Sequence, residues 1–322
     1  MSPRAEGVRA GYAEMPTAIH TWVTDVLGSP VVSTQEMTGG MSPGCATRLR
    51  CADGRRVFVK AVGTPLNPVT PSMFRREIAA LNLLGSHPLW AGLLASYDDG
   101  DWVGLLLEDV EGANPDLADD DTMGVLLDAT EDLGALLRER VPSPDVEALG
   151  LLDFRDVVTN WAASFDEVSR LEEVPVPRWV RDDLDGWQAR VAGLAAHDCP
   201  RLQHWDIRED NLVQRPDGSL VFVDWGQALV GPAWIDPLLA RLERAEDPWF
   251  DTSLGSSPAL VAAGDDTLNA WLVGFATMLA VRTVTAVDIG LPTLAAFRRS
   301  ESARMFSAAA RRLDLGPRAA RA

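Results

Sequence analysis

Residues Arg201–Gly226 read RLQHWDIREDNLVQRPDGSLVFVDWG. His204, Asp206 and Asn211 stand in the order H-x-D-x-x-x-x-N, and Asp224 closes the apolar run Ser219-Leu220-Val221-Phe222-Val223. That run reads as a buried strand, and Arg215-Pro216-Asp217-Gly218 as the turn of its hairpin. A carboxylate directly after a buried strand is expensive to desolvate unless it is paired or bound to metal. Singly, His, Asp and Asn near turns cap helices or close Asx-turns. Four polar residues in fixed order around a hairpin ask for more. Phosphoryl transfer needs one carboxylate to orient an attacking hydroxyl and separate oxygen ligands to hold Mg²⁺ against nucleotide phosphates. Asp206 fits the first task, and Asn211 and Asp224 fit the second.

HWDIREDN followed by VDWG resembles the catalytic loop and metal-binding segment of the aminoglycoside phosphotransferase and choline kinase-like families, relatives of the protein kinases. Trp205 departs from the small residue usual after the His, whereas Trp225 matches the aromatic often found after the metal Asp. Arg208 lies two residues after the Asp, where protein kinases place Lys and many small-molecule kinases His. A guanidinium there would help neutralise the transferring phosphoryl group, unless an ion pair with Glu209 or Asp210 holds it. Asp206, Arg208 and His204 are thus the candidate catalytic residues, with His204 as support for the loop. The resemblance implies a two-lobed, protein-kinase-like α+β fold. A β-rich nucleotide-binding lobe with one packed helix is expected over residues 1–107, a hinge at 108–112, and a mainly helical lobe with the catalytic loop and acceptor site over 113–322. It also implies ATP or GTP with Mg²⁺.

The upstream chain carries the rest of such a site. A helix is expected over Thr17–Leu27 and a strand from Val31, followed by Gly39, Gly40 and Gly44. Three glycines in six residues let a backbone approach a phosphate closely. Val57-Phe58-Val59-Lys60-Ala61-Val62 is an apolar strand interrupted by one amine, which must lie at an edge or be held by an anion. Phe74–Leu84 has helical spacing, with Glu77 on the rim of its apolar side. The resemblance pairs Lys60 with Glu77 at the α/β-phosphates, with Arg75 and Arg76 as competitors. Two further strands, Leu93–Tyr97 and Trp102–Leu107, lead to Leu107-Glu108-Asp109-Val110-Glu111-Gly112, where the resemblance has Glu108 to Val110 offer main-chain groups to the base. Beyond it, helices are expected at Thr122–Arg140, Phe154–Leu171, Trp179–Ala196, Trp234–Ala245, Thr267–Val287 and Thr293–Leu313. Asp236 either braces the catalytic loop, as the resemblance implies, or caps a helix.

The 322 residues carry 29 Lys and Arg against 47 Asp and Glu, a formal charge of −18. That balance argues against a nucleic-acid partner or an anionic membrane surface. Cys45, Cys51 and Cys199 are an odd number without metal-ligand spacing, which fits a reduced, cytoplasmic chain. The N-terminus lacks a signal-peptide core, and Trp271–Val281 is shorter than the ~18 apolar residues of a membrane span. Acids follow the expected hinge (Asp116, Asp119, Asp120, Asp121) and flank helices of the second lobe (Glu172, Glu173, Asp182, Asp183, Asp185). They suggest a cationic acceptor, an amine-bearing antibiotic or amino sugar, although acidic first turns also stabilise helices. The alternatives are a metabolic kinase acting on choline, an amino acid or a sugar, and a silent nucleotide-binding module. The intact Lys60, Asp206, Asn211 and Asp224 oppose the last.

Overall fold

A computed structural model describes residues 9–37, 40, 42–197, 201–289 and 291–315. Helix α1 (Thr17–Leu27) precedes strands β1 (Val31–Glu36), β2 (Cys45–Cys51) and β3 (Arg56–Gly63); α2 (Thr70–Leu84), β4 (Leu93–Asp98) and β5 (Trp102–Glu108) follow. The five strands form one antiparallel sheet in the order β1-β2-β3-β5-β4. Gly54, at φ +88°, makes the tight β2–β3 turn that a side chain would resist.

Alternation decides what each face of this sheet holds. Leu49, Val57, Val59, Ala61 and Leu106 pack on Ile19, Val23 and Leu27 of α1. Lys60 has Ala46 and Leu105 as cross-strand partners and points to the opposite face, where Phe74, Leu81 and Leu84 of α2 meet Val62, Val103, Leu105 and Leu107. The sheet therefore has a helix packed on each face, where the sequence reading expected both helices but only one packed against the sheet.

The helical lobe contains α3 (Asp120–Arg140), α4 (Val146–Leu149), β6 (Leu152–Asp153), α5 (Phe154–Arg170), α6 (Arg178–Arg181), α7 (Leu184–Gly193), β7 (Arg201–Gln203), β8 (Leu212–Gln214), β9 (Leu220–Phe222), β10 (Leu229–Gly231), α8 (Ile235–Leu239), α9 (Pro248–Ser253), α10 (Pro258–Ala263), α11 (Asp265–Thr285) and α12 (Leu294–Arg312). Helix α5 buries Val158, Trp161, Ala162, Phe165 and Val168, an apolar stripe at helical spacing. Helix α11 is long and apolar enough to cross a bilayer, but 72% of its apolar window is buried within the protein, so it serves as the core helix of the lobe.

Two expected helices differ, and α9 and α10 were not expected. The helix expected over Trp179–Ala196 breaks into α6 and α7, because Asp183 leaves helical geometry at φ −139°, ψ 49° and lays its carboxylate over Gly186. A Cβ on residue 186 would fall 2.2 Å from that carboxylate. The helix expected over Trp234–Ala245 stops after five residues, and the buried Arg241 side chain donates to the Pro237 carbonyl that a continued helix would have used, and to the Ser253 carbonyl of α9. The short α9 and α10 begin at prolines and have too few turns to display a period.

Candidate active site

Strand β7 pairs antiparallel with β10, and this short sheet delivers the chain to His204. Trp205 turns back with a left-handed backbone, φ 66°, which is rare for a bulky side chain. Asp236, 3% exposed, holds that turn by accepting from His204 N at 2.7 Å and from Trp205 N at 3.0 Å. It therefore braces the loop, and the helix-cap alternative falls: α8 begins at Ile235 without a side-chain cap. His204 is fully buried, lies 3.0 Å from the Val223 carbonyl through Nε2, and accepts from Asp206 N at Nδ1. Burial drives its pKa down to about 4. The ring is thus neutral with its proton on Nε2, and it ties the loop to the strand that leads to Asp224.

Asn211 Nδ2 donates to Asp206 O at 2.9 Å and to Asp206 Oδ2 at 2.8 Å, which leaves the Asn211 amide oxygen and Asp206 Oδ1 for other partners. Burial raises the Asp206 pKa against the opposing charge of Arg208, with Asp224 and Asp210 adding to the rise. Arg208 forks onto Asp210 at 3.0 and 2.8 Å and stands 3.7 Å from Asp206 Oδ1. The ion pair weighed as its alternative is therefore present, and this guanidinium reaches Asp206 only at longer range.

Across the cleft, Lys60 Nζ lies 2.6 Å from Glu77 Oε2 and 3.1 Å from Asp224 Oδ1, and 5.1 Å over the ring of Phe74. Burial alone would lower the lysine pKa, but Asp224 and Glu77 reverse the sign and keep it charged. Burial pushes Glu77 up to about 7 even though Lys60 opposes it. The two shifts at first disagree about how good the pair is. They agree once one ammonium is seen to serve two carboxylates, of which the more exposed, Asp224, is held below its usual range: Lys60 outweighs burial there. Asp224, at φ 64°, leaves 46% of its side chain exposed. Burying an ion pair costs several kcal/mol per ion, so Lys60–Glu77 positions an amine better than it stabilises a fold. Lys60 is also the only lysine in the sequence, a signal that composition alone contained.

Asn211 Oδ1 and the free oxygen of Asp224 are hard oxygen donors of the kind Mg²⁺ takes, with phosphates and water completing its shell. Among the described residues no cluster of three His, Cys, Asp or Glu forms a metal cage.

Gly39 lies outside the described residues, as does Cys199. Gly40 has φ +83°, and a Cβ there would meet the guanidinium of Arg9. Gly44 does different work from that expected: a Cβ would fall 2.2 Å from Ala61 O, so its smallness serves strand packing. At the hinge, Glu108 N donates to Gly92 O, and Val110 O accepts from Arg48 Nη2. Both groups are committed internally, which narrows the main-chain edge expected at Glu108 to Val110. Asp109, 1% exposed, sits between Arg48 and Arg56 and clamps the hinge to the sheet. Arg75 pairs with Asp98, and Arg76 donates to Gly226 O, which pins α2 beside Asp224.

The acids that suggested a cationic acceptor mostly have local duties. Asp119 caps α3, Asp120 pairs with Arg244, Asp182 with Arg178 and Asp183 with Arg190. A different set stands beside the catalytic loop. Glu243 accepts from Glu209 N at 3.2 Å, and burial raises its pKa, with Glu301 and Glu209 adding to the rise. Phe297 of α12 lies 5.7 Å from the Arg208 guanidinium. Sequence reading missed this group because Glu243, Phe297 and Glu301 lie outside the motif. Trp205 stacks on Trp161 at 5.8 Å and meets Trp271 and Phe154 edge-on, so the residue that departs from the usual small side chain is anchored in an aromatic wall.

The sequence profile of the phosphotransferase enzyme family, APH, matches residues 49–278, well over half of the chain. No curated protein sequence gives a match. Among solved structures the chain is similar to aminoglycoside phosphotransferase APH(4)-Ia in ternary complex with ADP and hygromycin B, at 14% identity and TM-score 0.57 over 91% of this chain and 98% of that one. It is similar to choline kinase LicA from Streptococcus pneumoniae at 15% identity and TM-score 0.57, over 89% and 97%. It is similar too to the GDP and kanamycin complex of APH(2")-IIia at 15% identity and TM-score 0.54, over 94% and 100%. At such identities the likeness is one of fold, the two-lobed kinase-like α+β architecture.

Proposed function

The chain belongs to the phosphotransferase enzyme family and is a small-molecule phosphotransferase, and from that premise we propose that it moves the γ-phosphoryl group of ATP or GTP, with Mg²⁺, to a hydroxyl of an amine-bearing small molecule, an antibiotic or amino sugar. The observation that carries the reading is the single amine of Lys60 held between Glu77 and Asp224 in the same site as Asp206 with its Asn211 partner. In this reading Lys60 grips the α/β-phosphates. Asp206 Oδ1 accepts the proton of the acceptor hydroxyl as its oxygen bonds to the γ-phosphorus and the bond to the β-phosphate bridging oxygen breaks. A raised carboxylate pKa suits that proton transfer. Asn211 and Asp224 would hold Mg²⁺, which when bound would neutralise charge on the phosphates.

The cationic acceptor is supported by Glu209, Asp210, Glu243 and Glu301 beside the catalytic loop, opposed there by Arg208 and Arg304. Nucleoside diphosphate release with Mg-nucleotide and a panel of hydroxyl compounds (aminoglycosides, macrolides, choline-like amines, neutral sugars) tests it. Transfer to an amine-bearing compound, with KM rising from about 50 to 500 mM salt as the screening length falls from roughly 14 to 4 Å, is expected. A neutral or anionic best acceptor with a salt-independent KM refutes the cationic class. Failure of every acceptor with every nucleotide refutes the phosphotransfer reading.

A further inference from the structure

Asp224 stands at the head of the single 3₁₀ turn Trp225–Gln227, and each residue of Asp224-Trp225-Gly226 has its own anchor. Lys60 Nζ lies 3.1 Å from Asp224 Oδ1. Trp225, 1% exposed, meets the His204 ring at 4.6 Å and the Trp90 ring at 6.1 Å, both edge-on. Gly226 is buried, and its carbonyl accepts from Arg76 Nη1 at 2.7 Å. A Cβ built on Gly226 would lie 3.3 Å from Asp224 Oδ1 and 3.4 Å from Met73 O. The first two turns of α2, the glycine and the Asp224 carboxylate are therefore packed together, with Arg76 bonded across the join.

Arg76 makes that bond at a cost. Its Nε is buried without a hydrogen-bond partner, and burial lowers its pKa with no neighbouring charge opposing the fall. Arg75, one residue earlier on α2, has the ordinary arrangement, an ion pair with Asp98 at 2.7 Å. A half-buried cation without an anion beside it weakens a fold. Nor does Arg76 act on Asp224 by charge, because Lys60 is what outweighs burial at that carboxylate. What remains is the bond itself. A buried carbonyl needs a donor, and a charged donor makes the stronger bond. Only a long side chain spans from α2 to a residue 150 positions further along the chain.

We propose that Arg76 is a positioning residue of the phosphotransfer site: by tying Gly226 O to α2 it fixes the turn from which Asp224 faces the cleft, so that one helix places both Glu77 and Asp224 about Lys60. The inference rests on the reading of Asp224 as a magnesium ligand.

The test compares wild type, Arg76→Met and Arg76→Lys. Methionine keeps an unbranched stem but removes donor and charge, and lysine restores both on a flexible chain. Because Arg76→Met also removes an unopposed charge, its melting temperature without ligand is expected within about 3 °C of wild type or above it. Hydrogen exchange of the ligand-free protein should show the amides of residues 225–228 opening about 10-fold or more faster in Arg76→Met, with those of β9 unchanged. Calorimetric titration of nucleoside triphosphate, in the adenine and guanine series, is run with EDTA and over a range of Mg²⁺. Affinity in EDTA should stay within about twofold of wild type, while the Mg²⁺ concentration giving half of the metal stimulation rises about 10-fold in Arg76→Met. Arg76→Lys should recover part of both effects. Unchanged exchange at 225–228 overturns the proposal. So does a loss of nucleotide affinity that is equal with EDTA and with Mg²⁺, or a melting temperature lowered by more than about 8 °C, either of which marks Arg76 as a structural residue only. Metal stimulation equal in wild type and Arg76→Met refutes this inference alone, whereas wild-type affinity indifferent to Mg²⁺ refutes the metal role of Asp224 and this inference with it.

Discussion

Asp236→Asn tests how the catalytic loop is held. The wild-type carboxylate is 3% exposed and accepts two backbone hydrogen bonds, at 2.7 and 3.0 Å. Burial raises its pKa from 3.8 to about 6, with the Trp205 and His204 amides pulling the other way. A folded pKa above the unfolded one means that the native state binds the extra proton. Its stabilising contribution is therefore complete below pH 3.8 and is lost as pH rises through about 6. A shift of that size corresponds to roughly 3 kcal/mol, at 1.36 kcal/mol per unit. Asparagine has no such titration but offers only one acceptor oxygen to two amides, a fixed loss of roughly 1–3 kcal/mol for the amide left over. The difference in unfolding free energy, wild type minus Asp236→Asn, should accordingly shrink by roughly 2 kcal/mol between pH 4 and pH 7, most of the full shift. Urea melts across that range measure it, and steady-state kinetics of the same variant should show kcat falling more than nucleotide KM rises. A difference that stays flat with pH refutes the burial-raised pKa of this carboxylate, and a variant with unchanged stability and kcat refutes its assignment as the brace.

Asp206→Ala should lower kcat by about 10²- to 10⁴-fold while Mg-nucleotide affinity stays within about tenfold, and a variant retaining most of its turnover removes Asp206 from the chemistry. Asp224→Ala should abolish transfer and flatten the dependence of nucleotide affinity on Mg²⁺; titration with and without the metal checks this, and equal metal stimulation in both proteins would sink the ligand role. Because Lys60 is the only lysine, an amine-directed reagent should modify one side chain, slowly given its 7% exposure, and saturating nucleotide should protect it. Peptide mass spectrometry reads that site, and modification indifferent to nucleotide argues against a phosphate-binding lysine.

The architecture was legible where a pattern repeats or a motif has fixed spacing. The apolar run around Lys60 and the helical spacing around Glu77 marked a strand amine and a helix acid that the family resemblance paired, and the structure joins them at 2.6 Å. The five strands and α1, α3 and α5 were legible for the same reason. What stayed hidden was set by contacts between distant residues. Nothing local says that Asp183 will fold over Gly186 and split a helix, or that Gly44 is small to admit Ala61 O. Nor does local pattern distinguish an acid that caps α3, Asp119, from an acid that stands by the catalytic loop, Glu243. Both are Asp or Glu near a helix start, and only the third dimension assigns their partners. The motif marks where the chemistry lies, but Phe297, which lies over Arg208, arrives from α12.

The two strained residues of the site explain why so many bonds converge on so short a loop. Trp205 and Asp224 both adopt left-handed backbone without being glycine, at roughly 1–3 kcal/mol each. Such conformations persist only where their surroundings over-determine them. Trp205 is held from below by Asp236 and from the side by Trp161 and Trp271, while Asp224 is held by Lys60. His204 links the two, reaching Val223 O with one nitrogen and Asp206 N with the other. Its burial, which keeps it neutral, is what allows one nitrogen to donate and the other to accept; a protonated ring would donate from both and lose the Asp206 amide. Asp206 and Asp224 are in this way positioned by one uncharged ring, which orients both without adding a cation that would compete with Lys60 for Asp224.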